Sequence, residues 1–270
     1  MRPPFAPRHR PSGNPGSAGM GIGKQWRAVP AARLRFAYAK VAGLSAAELD
    51  ALWTVYASFF EIERRTFEEA ARRSDEIIRF YDADDGRLCG MALVSAYAAS
   101  HEGRHFRVLS TGAVCIERRY RGLNAIQRAG LLRLLRERLH HPLSNVYWYF
   151  DTFSYKTYLL LSRNLAEYWP RPDRATPEWE SGAIAMLARR HGGEAWNPIT
   201  GIIGAQGRRL RAGIADVLPA DHDPHVRHFF RLNPGHAAGE RLPCLCPLNL
   251  GNVAAIARFA LRRAWRRTPS

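Results

Sequence analysis

The 270-residue sequence contains no run of about 18 apolar residues, which a helix needs to cross a bilayer. We therefore expect no membrane span, and the first 30 residues also lack the apolar segment of a secretory signal. Only four cysteines occur, without the spacing of a disulfide framework, so a reducing cytoplasm is the expected compartment. The Gly-x-Ser-x-Gly sequence of α/β-hydrolases is missing as well, which argues against that class of enzyme.

Metal-ligand spacing is also missing. Cys244-Leu-Cys246 supplies too few ligands for a tetrahedral zinc site, and its proline-flanked sequence predicts a loop. The His and Asp residues of the stretch 221–228 follow no strict ligand pattern, so a polar loop is the preferred interpretation. The sequence predicts no metal site.

Acidic residues are absent before Ala31 and after Asn252, although the net charge of the chain is +16. These two ends supply ten of the positive charges. The first end is rich in Pro, Gly, Ser and Arg, which predicts a disordered basic tail over residues 1–30.

The last segment predicts a basic amphipathic helix from about Asn252 to Arg267. Its arginines are Arg258, Arg262, Arg263, Arg266 and Arg267. Either they are solvated, or they contact a membrane surface or an acidic carrier protein. Nucleic acid is not an expected partner, because aromatic and basic residues are not interleaved as in single-strand binders.

The pattern of apolar residues predicts strands alternating with helices between Arg33 and Tyr168. The predicted elements are a strand over 34–40, a helix after the capping box Ser45–Glu48, a helix after a second box Thr66–Glu69, a hairpin over 76–94 turning at Asp84–Gly86, a strand over 106–116, a helix over 125–139, a strand over 146–150 and a helix over 155–162. After Pro170 the pattern loosens, with a helix predicted over 180–190.

A basic turn joins one of these strands to the next helix. The strand ends in Val114-Cys-Ile116, the turn is Arg118-Arg-Tyr-Arg-Gly122, and the helix follows. A helix N-terminus offers unpaired N–H groups to a phosphate, and a glycine allows close approach of the backbone. The pattern indicates a phosphate site, although a solvated surface turn explains it equally well.

The segment Arg119-Tyr-Arg-Gly122-Leu-Asn124 resembles motif A of the GCN5-related N-acetyltransferase (GNAT) superfamily, which reads Gln/Arg-x-x-Gly-x-Gly/Ala. It matches at the arginine and the first glycine, and it departs where Asn124 replaces Gly or Ala. Asparagine tolerates left-handed backbone angles better than most residues, so we expect the loop to form. The order of predicted elements over Arg33 to Tyr168 is similar to that superfamily too.

The resemblance implies an α/β fold with a mixed, mostly antiparallel central sheet flanked by helices. It would occupy residues 31–170, and residues 171–270 would form a C-terminal helical and loop extension. In such folds the strand before the turn pairs with pantetheine, and the turn holds the pyrophosphate. The corresponding residues here are Val114, Cys115 and Ile116 in the strand, and Arg119, Tyr120, Arg121, Gly122, Leu123, Asn124 and Ala125 in the turn.

Three residues are candidates for proton transfer. Glu117, at the strand end, is positioned as a base, unless it only pairs with a neighbouring arginine. Tyr155 and Tyr158 follow the next strand, where this superfamily often places a tyrosine acid, and Tyr155 is preferred. Each tyrosine has the alternative of a packing role with a satisfied hydroxyl.

The implied function is transfer of an acyl group to an amine. The donor would be acetyl-CoA, a longer acyl-CoA or an acyl carrier protein, and no metal would take part. The enzyme would act in the cytoplasm or at the surface of a membrane. The alternative is a non-catalytic module that keeps the fold and binds a membrane or an anionic partner through its basic tails.

Overall fold

The computed structural model describes residues 33–211 and 223–265. The tail predicted over residues 1–30 lies outside them, so that prediction is untested. The described residues contain ten strands. They are β1 Leu34–Lys40, β2 Phe60–Glu61, β3 Glu76–Asp82, β4 Leu88–His101, β5 Arg104–Ile116, β6 Val146–Thr152, β7 Trp196–Asn197, β8 Ile202–Ile203, β9 Arg209–Leu210 and β10 Leu242–Pro247.

Seven α-helices accompany the strands in the same residues. They are α1 Ala46–Ala57, α2 Arg64–Arg72, α3 Ala125–His140, α4 Tyr155–Asn164, α5 Glu178–Gly192, α6 Pro224–Leu232 and α7 Leu250–Trp265. No described helix is long and apolar enough to cross a membrane.

A six-stranded sheet runs through the centre in the order β1-β3-β4-β5-β6-β10. All neighbouring strands are antiparallel except β5 and β6, which are parallel. The mixed, mostly antiparallel sheet flanked by helices is therefore confirmed. The predicted hairpin is present between β3 and β4, and Gly86 at its tip has a positive φ of 74°.

The first capping box is confirmed and the second is wrong. The Ser45 hydroxyl accepts a hydrogen bond from the Glu48 N–H at 3.2 Å, and the Glu48 carboxylate accepts one from the Ser45 N–H at 3.0 Å. Helix α2 begins at Arg64 instead of after Thr66, without a side-chain cap. Arg64 reaches Glu68 one turn later at 2.7 Å, and such a pair stabilises an earlier first turn.

The segment around Cys244 and Cys246 is a strand and not a loop. It forms β10, which pairs with β6, and both thiols are fully buried. The prolines Pro243 and Pro247 are compatible with this strand because β10 is at the edge of the sheet, where a missing N–H need not break a ladder. The described part of the extension thus shares the sheet of the preceding residues and packs with them as one unit.

Helices cover both faces of the sheet. Helix α3 packs on one face over Phe80 and Leu109, whereas α1, α2 and α5 cover the other face over Ile77 and Val108. The short strand β9 pairs with β2, so a second part of the extension joins the segment between α1 and α2.

Buried ion pairs fix α3 against the sheet. The guanidinium of Arg133 lies 2.6 Å from the Glu76 carboxylate in β3 and 3.0 Å from Glu137 one turn along the helix. Arg107 in β5 pairs with the same Glu137 at 2.8 Å. These contacts set the position of the helix, and with it the position of its N-terminus.

Candidate functional site

The parallel strands β5 and β6 separate near the midpoint of each strand. Pairing between β5 and β6 ends at Ser110 and Tyr149, after which β5 continues to Ile116 beside β4 alone. Beyond Ser110, no described strand pairs with the edge of β5 that faces β6. The peptide groups on that edge are therefore available to an extended ligand.

A β-bulge lies within this free segment of β5. The register against β4 shifts between Met91 and Leu93, and Ala113 adopts a positive φ of 51°. Such an angle is unfavourable for alanine, by roughly 1–3 kcal/mol, and strained backbone of this kind concentrates at functional sites. The bulge redirects the following residues, and Val114 is left 39% exposed although it is apolar.

The turn after β5 exposes the start of α3. Gly122 has a φ of 90°, and Asn124, the residue before the helix, has φ 59° and ψ 22°. Asn124 thus adopts a left-handed conformation, which asparagine tolerates, and the turn forms as expected. The Asn124 side chain donates to the Gly122 carbonyl at 3.1 Å and does not cap the helix. The first N–H groups of α3 thus have neither an intrahelical acceptor nor a cap from Asn124.

The middle of the turn is anchored to the sheet. Tyr120 is buried, and its hydroxyl donates to the Asp82 carboxylate at the end of β3. Arg119 also donates to Asp82, at 2.9 Å, and stacks on the Tyr120 ring. The hydrogen bond from Tyr120, then one from the Asp84 backbone N–H, and the positive charge of Arg119 lower the pKa of Asp82. The side chain of Arg119 is therefore occupied in holding the turn and does not line the cavity described below.

Glu117 is held in ion pairs. Its carboxylate accepts two hydrogen bonds from Arg87, one of them at 2.7 Å, and lies 3.5 Å from Arg119. It does not line the cavity. This is the arginine-paired arrangement that the sequence left open, and the geometry does not favour Glu117 as a base.

A cavity of about 1560 Å³ adjoins both the split and the turn. Most of the predicted binding residues line it, namely Val114, Cys115, Ile116, Tyr120, Arg121, Gly122, Leu123, Asn124 and Ala125. Arg121 also donates from Nε to the Ile116 carbonyl at 3.4 Å. The free strand edge and the helix N-terminus therefore face one common space.

The two candidate tyrosines have different surroundings. Tyr155, the first residue of α4, lines the cavity. Tyr158 is fully buried outside it, and its hydroxyl donates to the Pro170 carbonyl at 2.9 Å. Burial also raises the pKa of Tyr158. Tyr158 has the packing role that the sequence left as its alternative.

Cys115 also lines the cavity, and its side chain is buried. Burial raises the pKa of this thiol to about 12, whereas a nucleophilic cysteine needs a lowered pKa. A covalent intermediate on Cys115 is therefore not supported.

The far side of the cavity contains polar residues that the sequence patterns did not reveal. Asp151 at the end of β6 pairs with Arg241 at 3.1 Å. Arg208 and His191 line the same side, and His191 Nε2 lies 2.8 Å from the Tyr97 hydroxyl. Tyr97 and Arg241, the two of these residues farthest apart in the sequence, are separated by 144 positions. No local pattern could therefore have found the group.

The polar loop preferred for the stretch 221–228 is wrong for its described residues, because Pro224–Leu232 form helix α6 and the Asp223 side chain caps its first turn. Asp221 and His222 lie outside the described residues. His225 Nδ1 lies 2.9 Å from the Tyr168 hydroxyl, and His228 Nδ1 lies 2.9 Å from Arg231. Within residues 33–211 and 223–265, no group of three potential metal ligands occurs.

The basic C-terminal segment is helical through Trp265, as predicted. Ile256 is buried and Arg258 is exposed, in agreement with an apolar and a basic face. The side chains of Arg262 and Arg263, and all of Arg266 and Arg267, lie outside the described part of the chain. Contact with a membrane or a carrier protein stays a prediction.

No protein-family model and no curated protein match the chain. Solved structures do match, among them a conserved protein of unknown function from Enterococcus faecalis V583, a probable N-acyltransferase. It is 17% identical, with a TM-score of 0.36, over 52% of this chain and only 37% of its own length. An acyl-CoA N-acyltransferase from Pseudomonas aeruginosa is 19% identical, with a TM-score of 0.33, over 43% of this chain and 79% of its own.

A GCN5-related N-acetyltransferase from Kribbella flavida is 16% identical, with a TM-score of 0.34, over 51% of this chain and 34% of its own. Because these TM-scores are below 0.5, we assign the fold from the topology of the sheet. The structure has a mostly antiparallel sheet, a parallel pair that separates, and a helix that starts beside the gap, and this agrees with the mixed α/β fold that the resemblance implied. The resemblance stated from the sequence is confirmed at the level of the fold.

Proposed function

We propose that the protein transfers an acyl group from an acyl-CoA to an amine. One observation carries the proposal: the free edge of β5 and the uncapped N-terminus of α3 line the same cavity. An acyl-CoA combines an amide-rich pantetheine arm with a diphosphate. The two features of the site match these two parts of one ligand, in the order in which the ligand carries them.

In this proposal the pantetheine arm extends along β5 from Thr111 to Ile116 and forms hydrogen bonds with the unpaired strand edge. The diphosphate lies against the N–H groups between Gly122 and Ala125, where the helix dipole also favours an anion. Arg121 adds positive charge on the same wall. Phosphopantetheine of an acyl carrier protein offers the same arm, so an acyl carrier protein is the alternative donor.

The size of the cavity allows a second substrate. Its volume of about 1560 Å³ exceeds the roughly 300–1,000 Å³ of an ordinary small-molecule pocket. We propose that the donor thioester occupies the split and that the amine approaches from the side of Asp151. An acetyl group or a longer acyl chain is compatible with this arrangement.

The chemistry is a direct transfer. The neutral amine attacks the thioester carbonyl, a C–N bond forms, the C–S bond breaks, and CoA leaves as a thiol after taking up a proton. The amine loses a proton in the same reaction, so no oxidant or reductant is needed. In a direct transfer without a covalent enzyme intermediate, positioning of the two substrates supplies most of the rate.

Binding of CoA tests the proposal most directly. At a CoA concentration 100 times its dissociation constant, the free energy of unfolding is expected to rise by about 2.7 kcal/mol. For a chain of this length the melting temperature then rises by roughly 5 to 10 °C. Adenosine alone is the control ligand, since it lacks both the diphosphate and the pantetheine arm. An unchanged melting temperature at millimolar CoA, together with binding to anionic vesicles, would favour the non-catalytic alternative.

We propose Tyr155 as the acid that protonates the departing thiolate. Tyr155→Phe is expected to lower kcat about 100-fold, the scale of general acid catalysis, with little change in KM for the donor. The measurement is thiol release from acetyl-CoA with the amine that the wild-type protein accepts fastest.

Tyr158→Phe is the matched control for this variant. It removes a hydroxyl that is bonded to Pro170 outside the cavity, so stability should fall by about 1 kcal/mol and kcat should not change. Equal kcat values for the Tyr155 variant and the wild-type protein would show that Tyr155 is not the acid of the reaction.

A further inference from the structure

The side of the cavity away from α3 contains an arginine that has no acidic partner among the described residues. Arg208 precedes β9 and lines the cavity. Its NH1 group donates to the Tyr56 hydroxyl at 3.2 Å. Its guanidinium carbon lies 5.8 Å from the centre of the Phe60 ring and 5.6 Å from that of Phe153. No ion pair within 4.0 Å joins Arg208 to a carboxylate of the described residues.

One carboxylate on this side of the cavity already has a partner. Asp151 pairs with Arg241 at 3.1 Å, and Arg241 also donates to Gln206 at 2.6 Å. Burial lowers the pKa of Arg241, and the positive charge of Arg208 lowers it further. The two guanidinium groups therefore act on each other across the same space, and Asp151 compensates one positive charge of the two.

The Arg208 guanidinium is half-buried between aromatic rings. Burial lowers its pKa, but its interactions with Tyr56 and with Asp151, which is not within ion-pair distance, outweigh burial and raise it. Removal of a charge from water costs several kcal/mol unless an opposite charge restores the balance. Tyr56, Phe60 and Phe153 hold the guanidinium in place, so it cannot turn away to bulk water without losing these contacts. An anionic ligand would supply the missing partner, and guanidinium groups bind carboxylates through two parallel hydrogen bonds.

The position of Arg208 indicates that the anion it binds belongs to the acceptor and not to the donor. The donor phosphates are assigned to the start of α3, on the wall formed by Gly122 and Asn124, whereas Arg208 contacts residues of α1 and of the segments that follow α1 and β6. Both walls face the one cavity that contains the free edge of β5. A molecule held at Arg208 can therefore present its amine to a thioester in the split.

We infer that the acceptor is an amine that also carries a carboxylate, such as an α-amino acid, and that Arg208 binds this carboxylate. The inference rests on the proposed acyl transfer and specifies its second substrate. The reaction balance is unchanged, because the carboxylate is a binding group and takes no part in bond making. The product is an N-acyl amino acid, which retains the negative charge.

Paired acceptors test the inference without any variant. We would measure thiol release from acetyl-CoA with each of the 20 amino acids and with its carboxamide, which keeps the amine and removes the charge. Rates are compared per unprotonated amine, because the amide lowers the pKa of the amine. The expected kcat/KM is about 10- to 100-fold higher for the preferred acid than for its amide, the range for hydrogen bonds to a charged group.

The Arg208→Met variant then tests whether Arg208 causes the preference for the acid over its amide. Methionine keeps the apolar contact with the two rings and removes the charge, so kcat/KM for the acid should fall about 10- to 100-fold and that for the amide should stay constant. Arg209→Met is the matched control, since Arg209 is exposed in the adjoining strand and does not line the cavity. It should leave both rates unchanged.

The outcomes separate this inference from the proposed function. If CoA is bound and amides are acylated as fast as acids, the acceptor inference is wrong and acyl transfer still holds. An equal loss of kcat/KM for the acid and for the amide in the Arg208 variant also contradicts the acceptor inference. If the protein neither binds CoA nor releases thiol from acetyl-CoA, the proposed function is wrong, and the acceptor inference that rests on it is wrong as well. Should the Arg208 variant not fold, the acid and amide comparison on the wild-type protein decides.

Discussion

Gly122→Asp is expected to lower CoA affinity by at least about 100-fold while the protein still folds. Gly122 has a φ of 90° beside the start of α3, and a Cβ atom there would meet nothing within 4 Å. The added side chain therefore projects into the space that we assign to the diphosphate. Its negative charge would oppose the ligand charge directly, and like charges in contact cost several kcal/mol.

Gly103→Asp is the matched control for backbone strain. Gly103 lies in the turn between β4 and β5, has a φ of 74°, and an added Cβ atom would likewise meet nothing within 4 Å. Both variants should lose a similar amount of stability, because aspartate is strained in the left-handed region at either site. Only the Gly122 variant should lose affinity in a calorimetric titration with CoA. Unchanged affinity in both variants would place the diphosphate elsewhere.

Arg133→Met is expected to have the largest effect on stability, a loss of about 3–5 kcal/mol in the free energy of unfolding. Removal of this guanidinium leaves the buried carboxylates of Glu76 and Glu137 with fewer partners. The melting temperature should fall by roughly 10 °C. Arg65→Met is the control, because Arg65 forms an exposed pair with Glu69 whose loss should cost no more than about 1 kcal/mol.

The loss in the Arg133 variant should depend on pH. Burial alone would raise the pKa of Glu76 and that of Glu137, but hydrogen bonds from arginines outweigh burial and lower both. The stability that these carboxylates contribute is present above their unfolded pKa and is lost as pH falls through the folded pKa. The difference between the two proteins in chemical unfolding should therefore shrink below about pH 4. A constant difference would show that the ion pairs are not its source.

Features that depend on a few neighbouring residues were predicted well. The hairpin between β3 and β4, the capping box at Ser45 and the turn before α3 all follow from short-range backbone preferences. The second capping box failed for a related reason. A pair between Arg64 and Glu68 competes with the cap at Thr66, and the sequence does not show which of the two local signals is stronger.

The candidate site was predicted in part. The strand and turn residues line the cavity, but Arg119 faces Asp82 and Glu117 faces Arg87, 37 and 30 residues away in sequence. A residue at the end of a strand can turn toward the cleft or toward its neighbour. The choice depends on which charged groups the sheet brings beside it, and here Asp82 and Arg87 lie at the two ends of the turn between β3 and β4.

By itself, the sequence determined the strand, turn and helix around Gly122, because glycine and asparagine there permit the left-handed angles that open the start of α3. Tertiary structure alone decided which charges meet across the cavity. Arg208, Arg241 and Asp151 lie on separate segments, and β10 became a strand only because β6 offered an edge to pair with. Backbone angles depend on neighbours in the chain, whereas ion pairs and strand edges depend on neighbours in space.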